Sequence, residues 1–264
     1  MGNTYKIGFI GAGNMAEAIF AGALKKGVVA ASQISIYDIN LERLASLKNT
    51  YKVHTVTGLE PLLHENDILI LAVKPHVAKE ILPSLKTNAS IVSIVAGLSY
   101  DAIQQLLPQE TKLLRIMPNT PHMVGEGVAA FALPYTLEEK QASSVKMLFE
   151  AIGIVISVEE RLMDAVTGMS GSGPAYGYLF IEAMADAGVK NGLPRETAYQ
   201  LAAQTLLGAA KMVLATGEHP GKLKDDVCSP GGTTIAAVSK LEKNGFRNAI
   251  IAAVDAATEK SKNL

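Results

Sequence analysis

The feature that most constrains the fold is a glycine-rich turn near the amino terminus. Gly11, Gly13 and Ala16 form the pattern Gly-x-Gly-x-x-Ala, directly after the apolar residues 6–10 and at the start of an amphipathic segment. In a dinucleotide-binding βα unit such glycines allow a tight turn and close approach of the pyrophosphate, and the small third residue lets the helix pack on the strand. A plain turn is the alternative. The residues expected to contact a dinucleotide are Gly11, Ala12, Gly13, Asn14 and Met15.

Short β-branched segments alternate with longer amphipathic segments along the first 159 residues. This alternation is typical of βαβ units, whose parallel strands are covered by helices. It predicts a Rossmann-type doubly wound sheet, and hence a dinucleotide-binding domain, over residues 1–159. The expected strands are residues 5–10, 34–37, 67–72, 90–95, 112–117 and 154–158, and the expected helices are residues 15–25, 41–47, 77–85, 102–107 and 137–151.

Beyond residue 160 the strand pattern gives way to long alanine-rich segments. They predict an all-α carboxyl-terminal domain over residues 160–264, so the fold class is α/β with a helical second domain. Runs such as Leu201-Ala202-Ala203 supply more apolar surface than a small helical unit needs for its own core. We therefore expect this domain to dimerise with a second copy of the chain. The expected helices are residues 160–169, 175–187, 195–216 and 234–260.

Composition argues against several classes of partner. The formal net charge is −1 with scattered acids and bases, which disfavours nucleic acid and anionic membranes as partners. The apolar runs are shorter than the roughly 20 residues that cross a bilayer. The single cysteine, Cys228, cannot form an internal disulfide, and no signal-peptide pattern precedes the first strand, so we expect a cytoplasmic protein. The five histidines are dispersed, which predicts no metal site.

The choice between NADH and NADPH is expected to depend on the end of the second strand. Asp38 lies there, and a carboxylate at this place accepts a hydrogen bond from a ribose 2′-hydroxyl and repels a 2′-phosphate. The nearest cation that can hold a phosphate is Arg43, in the next predicted helix. Asp38 therefore favours NADH, unless it only caps that helix.

Two further segments follow predicted strands at the sheet edge where ligands bind. In the first, Lys74 either lines the cofactor groove or simply begins a loop. In the second, Asn119 is placed to hydrogen-bond a cofactor or a substrate. The cofactor-binding residues expected from these segments are Ala72, Val73, Lys74, Pro75 and Asn119.

A second glycine-rich segment, residues 171–176, invites comparison with the hydroxyacid dehydrogenases. Those enzymes carry a similar glycine-rich helix start followed by a catalytic lysine, but the first lysine after Gly173 is Lys190, too distant to serve as that acid and base. A structural loop that enters a packed helix is the other interpretation.

A third segment, residues 225–234, is expected to bind a carboxylate. Ser229, Thr233 and Thr234 supply hydroxyls, Gly231 and Gly232 let backbone N–H groups approach a ligand, and the following residues have the pattern of a helix. A loop that leads into a helix N-terminus is suited to an anion. The neighbouring Cys228 has no base near it in the sequence and is interpreted as a packed residue.

Together these segments resemble the pyrroline-5-carboxylate reductase family, in the same order and over almost the whole chain. The most specific part is the run Ser229-Pro230-Gly231-Gly232 with the threonines after it. The resemblance implies reduction of L-1-pyrroline-5-carboxylate to L-proline by NADPH or NADH. It also implies a homodimer with interlocked helical domains, often in larger rings, and an active site between the cofactor domain of one chain and the helical domain of its partner.

The resemblance also implies roles for the third segment. Ser229 and the backbone of Gly231, Gly232 and Thr233 would hold the substrate carboxylate, and the Thr234 hydroxyl would face the ring nitrogen.

One departure affects the cofactor. Many members of the family carry an arginine near positions 39 and 40 for the NADPH phosphate, whereas this chain has Ile39 and Asn40. With Asp38 in place, NADH is expected to serve as well as or better than NADPH. A non-catalytic nucleotide sensor would share the first glycine-rich turn but would have no reason to keep the hydroxyl-rich third segment.

Overall fold

The computed structural model describes residues 4–263. Their contacts form two compact units, which we call the sheet unit (residues 4–171 and 257–263) and the helical unit (Ser172–Ala256). The segment that follows the last strand is part of the sheet unit because Met163 is fully buried against Ala130 and Ala132. Of the helices within residues 4–263, none combines the length and apolar character needed to cross a bilayer.

The sheet unit contains an eight-stranded sheet with the strand order β3-β2-β1-β4-β5-β6-β7-β8. The order β3-β2-β1-β4-β5-β6 is that of a Rossmann fold, as the sequence predicted. The strands are β1 (Ile7–Ile10), β2 (Ile34–Tyr37), β3 (His54–Val56), β4 (Ile68–Leu71), β5 (Ser90–Ser93), β6 (Leu113–Met117), β7 (Gly127–Leu133) and β8 (Gly153–Glu159).

Two strands were missing from the sequence prediction, and one of them changes the topology. Strand β3 is only three residues long, and β7 is rich in alanine, so neither carries a strong β-propensity signal. Strand β7 pairs antiparallel with β6 and parallel with β8. The expectation of an entirely parallel sheet is therefore wrong beyond β6.

Helices cover both faces of the sheet, so its central strands are buried on both faces. Strands β1, β4 and β5 are buried at every residue, as parallel strands between two helical layers are. One core cluster contains Phe9 and Phe20, and a second contains Leu62 and Leu69, beside the small cluster around Met163. The helices of this unit are α1 (Asn14–Lys25), α2 (Leu41–Tyr51), α3 (Leu59–Glu65), α4 (Pro75–Ile81), α5 (Tyr100–Leu106), α6 (Glu139–Glu150) and α7 (Met163–Val166).

The predicted helix over residues 160–169 is wrong in form. The chain makes a short 3₁₀ turn, Glu160–Leu162, then α7, and then a π-helix, Thr167–Gly171. The Thr167 and Ser170 hydroxyls donate back to the carbonyls of Met163 and Val166. Such back-bonding by Ser and Thr, together with two glycines, disfavours a regular α-helix here.

The regular secondary structure within Ser172–Ala256 is all helical, as predicted. They are α8 (Gly173–Lys190), α9 (Arg195–Thr216), α10 (Pro220–Asp226), α11 (Thr233–Lys243) and α12 (Phe246–Lys262), whose last residues belong to the sheet unit. The predicted single helix over residues 234–260 is wrong, because Gly245 adopts φ +73° and separates α11 from α12. The short helix α10 was not predicted.

The helical unit has an apolar surface and a very small core. Within Ser172–Ala256 the buried apolar residues are Ala185, Ala198 and Ala202. Large apolar side chains lie exposed instead, which confirms the expected surplus of apolar surface. They include Tyr178, Leu179, Leu201, Leu207, Met212, Leu214, Val227, Ile250 and Ile251.

Candidate active site

The first glycine-rich turn joins β1 to α1 and has a conformation that requires glycine at Gly11. Its φ is +104°, and a Cβ there would lie 2.5 Å from the Ala72 carbonyl oxygen. Its N–H donates to the Tyr37 carbonyl at 2.8 Å. Gly13 is different, since a Cβ there would meet no atom within 4 Å. Gly11 therefore shapes the turn, and Gly13 leaves an open approach to the backbone.

The turn also presents an uncapped helix N-terminus. Gly13 is the N-cap of α1 and supplies no side chain, and the first helical hydrogen bond runs from Glu17 N–H to the Gly13 carbonyl. The N–H groups of Asn14 and Met15 thus have no partner inside the helix and can bind an anion. The fully buried Ala16 packs this helix onto the sheet. These features fit the pyrophosphate of a dinucleotide.

The segment of residues 72–75 lies beside this turn at the carboxyl ends of β1 and β4. Ala72 N–H donates to the Ile10 carbonyl at 2.8 Å, and Ala72 and Val73 contact Gly11. Lys74 is exposed as the N-cap of α4, Pro75 begins that helix, and Lys74 makes no ion pair within residues 4–263. The two segments line the crevice at the switch point of the sheet, where ligands of such folds bind.

Asp38 connects the glycine-rich turn to the end of β2. Its Oδ2 accepts from Ala12 N–H at 2.7 Å, and its Oδ1 accepts from Asn40 N–H at 2.8 Å. Helix α2 is capped by Asn40, whose Oδ1 accepts from Arg43 N–H at 2.9 Å. The alternative that Asp38 only caps this helix is therefore wrong. Each carboxylate oxygen keeps lone pairs that can accept from a ribose hydroxyl.

Asn119 is buried at the carboxyl end of β6, and its side chain is engaged at both ends. Its Oδ1 accepts from Val128 N–H at 2.9 Å, and its Nδ2 donates to the Ser170 carbonyl at 3.1 Å. The neighbouring His122 places Nδ1 at 2.7 Å from the Asn119 carbonyl oxygen. Asn119 thus ties β7 and the π-helix to the edge of the cofactor crevice.

The third segment forms an exposed loop between α10 and α11. Gly231 adopts φ +69°, Gly232 N–H donates to the Ser229 carbonyl at 3.0 Å, and Gly232 is the N-cap of α11 without a side-chain cap. A Cβ on Gly232 would overlap the Ser229 hydroxyl. The loop thus brings the Ser229 and Thr234 side chains to an open helix N-terminus. This arrangement is suited to a carboxylate.

The remaining candidates take structural positions. Gly171 ends the π-helix against the Met117 side chain, and Gly173 and Pro174 begin α8. Lys190 is the last residue of α8, far along the helix from that glycine-rich start. Cys228 is half-buried, and within residues 4–263 no three side chains of His, Cys, Asp or Glu converge as a metal site.

Comparison with known proteins identifies the family. Residues 160–264 match the family described as pyrroline-5-carboxylate reductase dimerisation, and residues 6–97 match that described as NADP oxidoreductase, coenzyme F420-dependent. The pyrroline-5-carboxylate reductase of Arabidopsis thaliana is 46% identical, over 99% of this chain and 96% of that protein. The chain belongs to the pyrroline-5-carboxylate reductase family. The Synechocystis sp. reductase is likewise 46% identical, over 98% of both chains.

Solved pyrroline-5-carboxylate reductases have the same fold. The enzyme from Coxiella burnetii gives a TM-score of 0.92 at 35% identity, over 99% of this chain and 98% of that one. The enzyme from Plasmodium falciparum, solved with NADP bound, gives 0.88 at 34% identity, over 100% and 99%. The family match over residues 160–264 also identifies the carboxyl-terminal region as a dimerisation domain, in agreement with its exposed apolar helices.

Proposed function

We propose that this chain reduces the C=N bond of L-1-pyrroline-5-carboxylate with NADPH or NADH and releases L-proline, the last step of proline biosynthesis. The observation that carries the proposal is family membership over nearly the whole chain. The uncapped N-termini of α1 and α11, which lie at the two glycine-rich segments, support it because a dinucleotide and an amino-acid-like substrate both carry anionic groups.

The cofactor residues have a direct physical rationale. The N–H groups of Asn14 and Met15 bind the pyrophosphate, Gly13 leaves room for it, and Asp38 accepts from the adenosine ribose. The reduced nicotinamide supplies the hydride when it is bound. Residues 72–75 line the cofactor groove. Asn119 holds β7 and the π-helix in place at the far edge of that groove.

The substrate residues need only hold and polarise the imine. The backbone N–H groups at the start of α11 and the Ser229 hydroxyl bind the carboxylate, with Gly231, Gly232 and Thr233 forming the turn. The Thr234 hydroxyl hydrogen-bonds the ring nitrogen. A cyclic imine whose nitrogen is protonated or hydrogen-bonded accepts hydride readily when it is held at near-attack distance, so no strong base is required.

The assembly follows from the exposed apolar helices. The carboxyl-terminal domain, residues 160–264, pairs two chains into a homodimer that can assemble into a ring of dimers, and each active site combines one chain's residues 1–159 with its partner's helices. The near-zero net charge and the lone cysteine favour a cytoplasmic enzyme without nucleic-acid or membrane partners.

The first experiment is parallel oxidation of NADH and NADPH by the purified protein, with and without L-1-pyrroline-5-carboxylate. Turnover that depends on the imine supports the reductase. Cofactor binding without turnover on this imine, or on a six-membered cyclic imine, would instead favour a nucleotide sensor.

The substrate loop is tested by two substitutions. Thr234→Ala removes the hydroxyl that polarises the imine and lowers kcat, roughly 100- to 1,000-fold for one transition-state hydrogen bond. Ser229→Ala mainly raises the substrate KM. Ser239→Ala, on the exposed continuation of α11, is the matched control and should leave both constants unchanged. Wild-type kinetics for both loop variants would exclude these roles.

A further inference from the structure

A partly buried ion pair lies directly beside the glycine-rich turn proposed to bind the cofactor. Arg43 on α2 pairs with Glu17 on α1, and its Nε donates to the Ala12 carbonyl at 3.0 Å. The other carboxylate oxygen of Glu17 accepts from the Tyr51 hydroxyl at 2.8 Å. Side chains from both ends of α2 therefore converge on one carboxylate of α1.

Asp38 holds the same residue of the turn, Ala12. Ala12 N–H donates to Asp38, and the Ala12 carbonyl accepts from Arg43, so the two side chains bind the two peptide groups that flank the Ala12 Cα. In dinucleotide-binding folds this is where an acid accepts from the ribose hydroxyl or an arginine receives the 2′-phosphate. Arg43 is thus close to the position of a 2′-phosphate, but its Nε donates to Ala12 and its Nη2 and charge are paired with Glu17.

The ion pair is intact at neutral pH. Partial burial alone would raise the pKa of Glu17, but the hydrogen bonds from Arg43 and Tyr51 and the arginine charge outweigh it and hold the pKa below its usual value. The hydrogen bond to Glu17 raises the pKa of Tyr51, which keeps its proton and donates. Arg43 and Glu17 are each less than one-third exposed, so solvent screens the pair only in part.

We propose that Glu17 determines cofactor specificity as a positioning residue: it holds Arg43 against the Ala12 carbonyl, withholds the guanidinium from a 2′-phosphate, and leaves Asp38 to select NADH. The inference rests on the proposed use of a nicotinamide dinucleotide. Glu17 is thereby a determinant of cofactor specificity that lies outside both the ribose site and the glycine-rich turn. The Tyr51 hydroxyl donates to the second carboxylate oxygen of Glu17 and so helps to hold that side chain in place.

The test compares NADH and NADPH in kcat/KM and in equilibrium dissociation constant. The wild type is expected to prefer NADH. Glu17→Gln should strengthen NADPH binding and raise its kcat/KM roughly tenfold, the equivalent of one charge-assisted hydrogen bond, with a much smaller change for NADH. Tyr51→Phe should shift the ratio in the same direction by less.

Two variants separate release of Arg43 from a general change of charge. Glu42→Gln removes the same charge from an exposed neighbour of Arg43 and should leave the ratio at its wild-type value. Arg43→Met added to Glu17→Gln should abolish the gain for NADPH. An unchanged ratio in Glu17→Gln, an equal shift in Glu42→Gln, or a gain that survives loss of Arg43 would overturn the inference.

The binding constants distinguish this inference from the proposed function. If the wild type binds both dinucleotides but turns over neither with L-1-pyrroline-5-carboxylate, the proposed reaction fails, and the ratio of dissociation constants still decides the role of Glu17. If Glu17→Gln does not fold, Tyr51→Phe provides the same comparison, and an unaltered ratio of dissociation constants in that variant contradicts the inference.

Discussion

The two units differ in how they bury apolar surface. The sheet unit encloses two clusters of large side chains, among them the fully buried Phe9, Phe20 and Leu62. The helical unit buries only alanines within Ser172–Ala256 and exposes leucines and isoleucines. A unit of the first kind is stable by its own packing, whereas one of the second kind needs another surface to cover it. The family's dimerisation domain supplies the reason for that difference.

The glycine-rich turns of the two units differ in the same way. Gly11 is wedged against Ala72, and its turn is tied to Asp38 and Tyr37. Around Gly231 a Cβ would meet nothing within 4 Å. The cofactor turn is thus formed within one chain. The loop at Gly231, where we propose that the substrate binds, is open, and this supports the proposal that a second chain completes the active site.

The largest expected effect is on association. Leu179 is 67% exposed on α8. If α8 forms part of the dimer interface, Leu179→Asp would place a charge there twice, once from each chain, and cost about 4–6 kcal/mol per dimer, which weakens the dimer at least a thousandfold. Leu41→Asp, at 61% exposure in the sheet unit, is the matched control and should remain dimeric. Sedimentation equilibrium measures both, and an undisturbed Leu179→Asp dimer would contradict the comparison.

The second prediction concerns the internal support of the sheet unit. Arg115 is buried on β6 and pairs with Glu160, which also accepts from Tyr100 N–H at 2.8 Å. Arg115→Met leaves a partly buried carboxylate without its cation and should lower the free energy of unfolding by about 3 kcal/mol. Arg195→Met breaks an exposed ion pair with Asp186 and should cause no measurable change. Urea unfolding of the two variants tests the contrast, which fails if their midpoints shift equally.

The third prediction separates shape from ligand access in the cofactor turn. Gly11→Ala forces a Cβ against the Ala72 carbonyl at positive φ and should cost roughly 3 kcal/mol of stability. Gly13→Ala has space for its methyl group, so it should unfold like the wild type and weaken only cofactor binding. Thermal unfolding and NADH fluorescence titration distinguish the two. Equal loss of stability in both variants would mean that Gly13 is also structural.

The smallest expected effect depends on pH. His122 is buried beside Phe149, and its Nε2 has no hydrogen-bond partner within residues 4–263. Burial lowers the pKa of His122 below its usual 6.5, against the opposing hydrogen bond to the Asn119 carbonyl. The unfolded chain therefore binds more protons just below pH 6.5, and stability falls as the pH falls through that value.

The control for His122 is the exposed His64. His122→Gln should flatten the pH dependence of the unfolding midpoint between pH 7 and the lower folded pKa, whereas His64→Gln should retain the wild-type slope. Retention of the full slope in His122→Gln would show that other groups cause it.

Features with a local cause could be predicted from the sequence. The turn at Gly11, strand β2 and helix α9 each follow from neighbouring residues, and α9 has the predicted bounds. Strand β7 could not be predicted, because Gly127–Leu133 is rich in alanine and glycine and is stabilised by pairing with β6 and β8. The break at Gly245 lies inside a long helical pattern, and the turn dipeptide Asn244-Gly245 was the sequence signal that could have indicated it.

The candidate site likewise contains features that could be predicted from the sequence and contacts that could not. Glycines and hydroxyls near helix starts mark both turns in the sequence. The link from Asp38 to Ala12 and the pairing of Arg43 with Glu17 join residues 26 positions apart. No pattern in a single sequence specifies such long-range contacts, so the role of Asp38 in holding the turn and the engagement of Arg43 required the structure.

The most direct test of the central claim is subunit complementation between two inactive chains. Gly13→Asp puts a carboxylate where we propose that the pyrophosphate binds, and a Ser229→Ala, Thr234→Ala double variant removes both hydroxyls of the proposed substrate loop. If each active site combines two chains, the mixed dimer regains one working site, and co-expression in equal amounts restores about a quarter of wild-type activity. A mixed dimer that forms but stays inactive would show that each chain builds its site alone and would contradict the account.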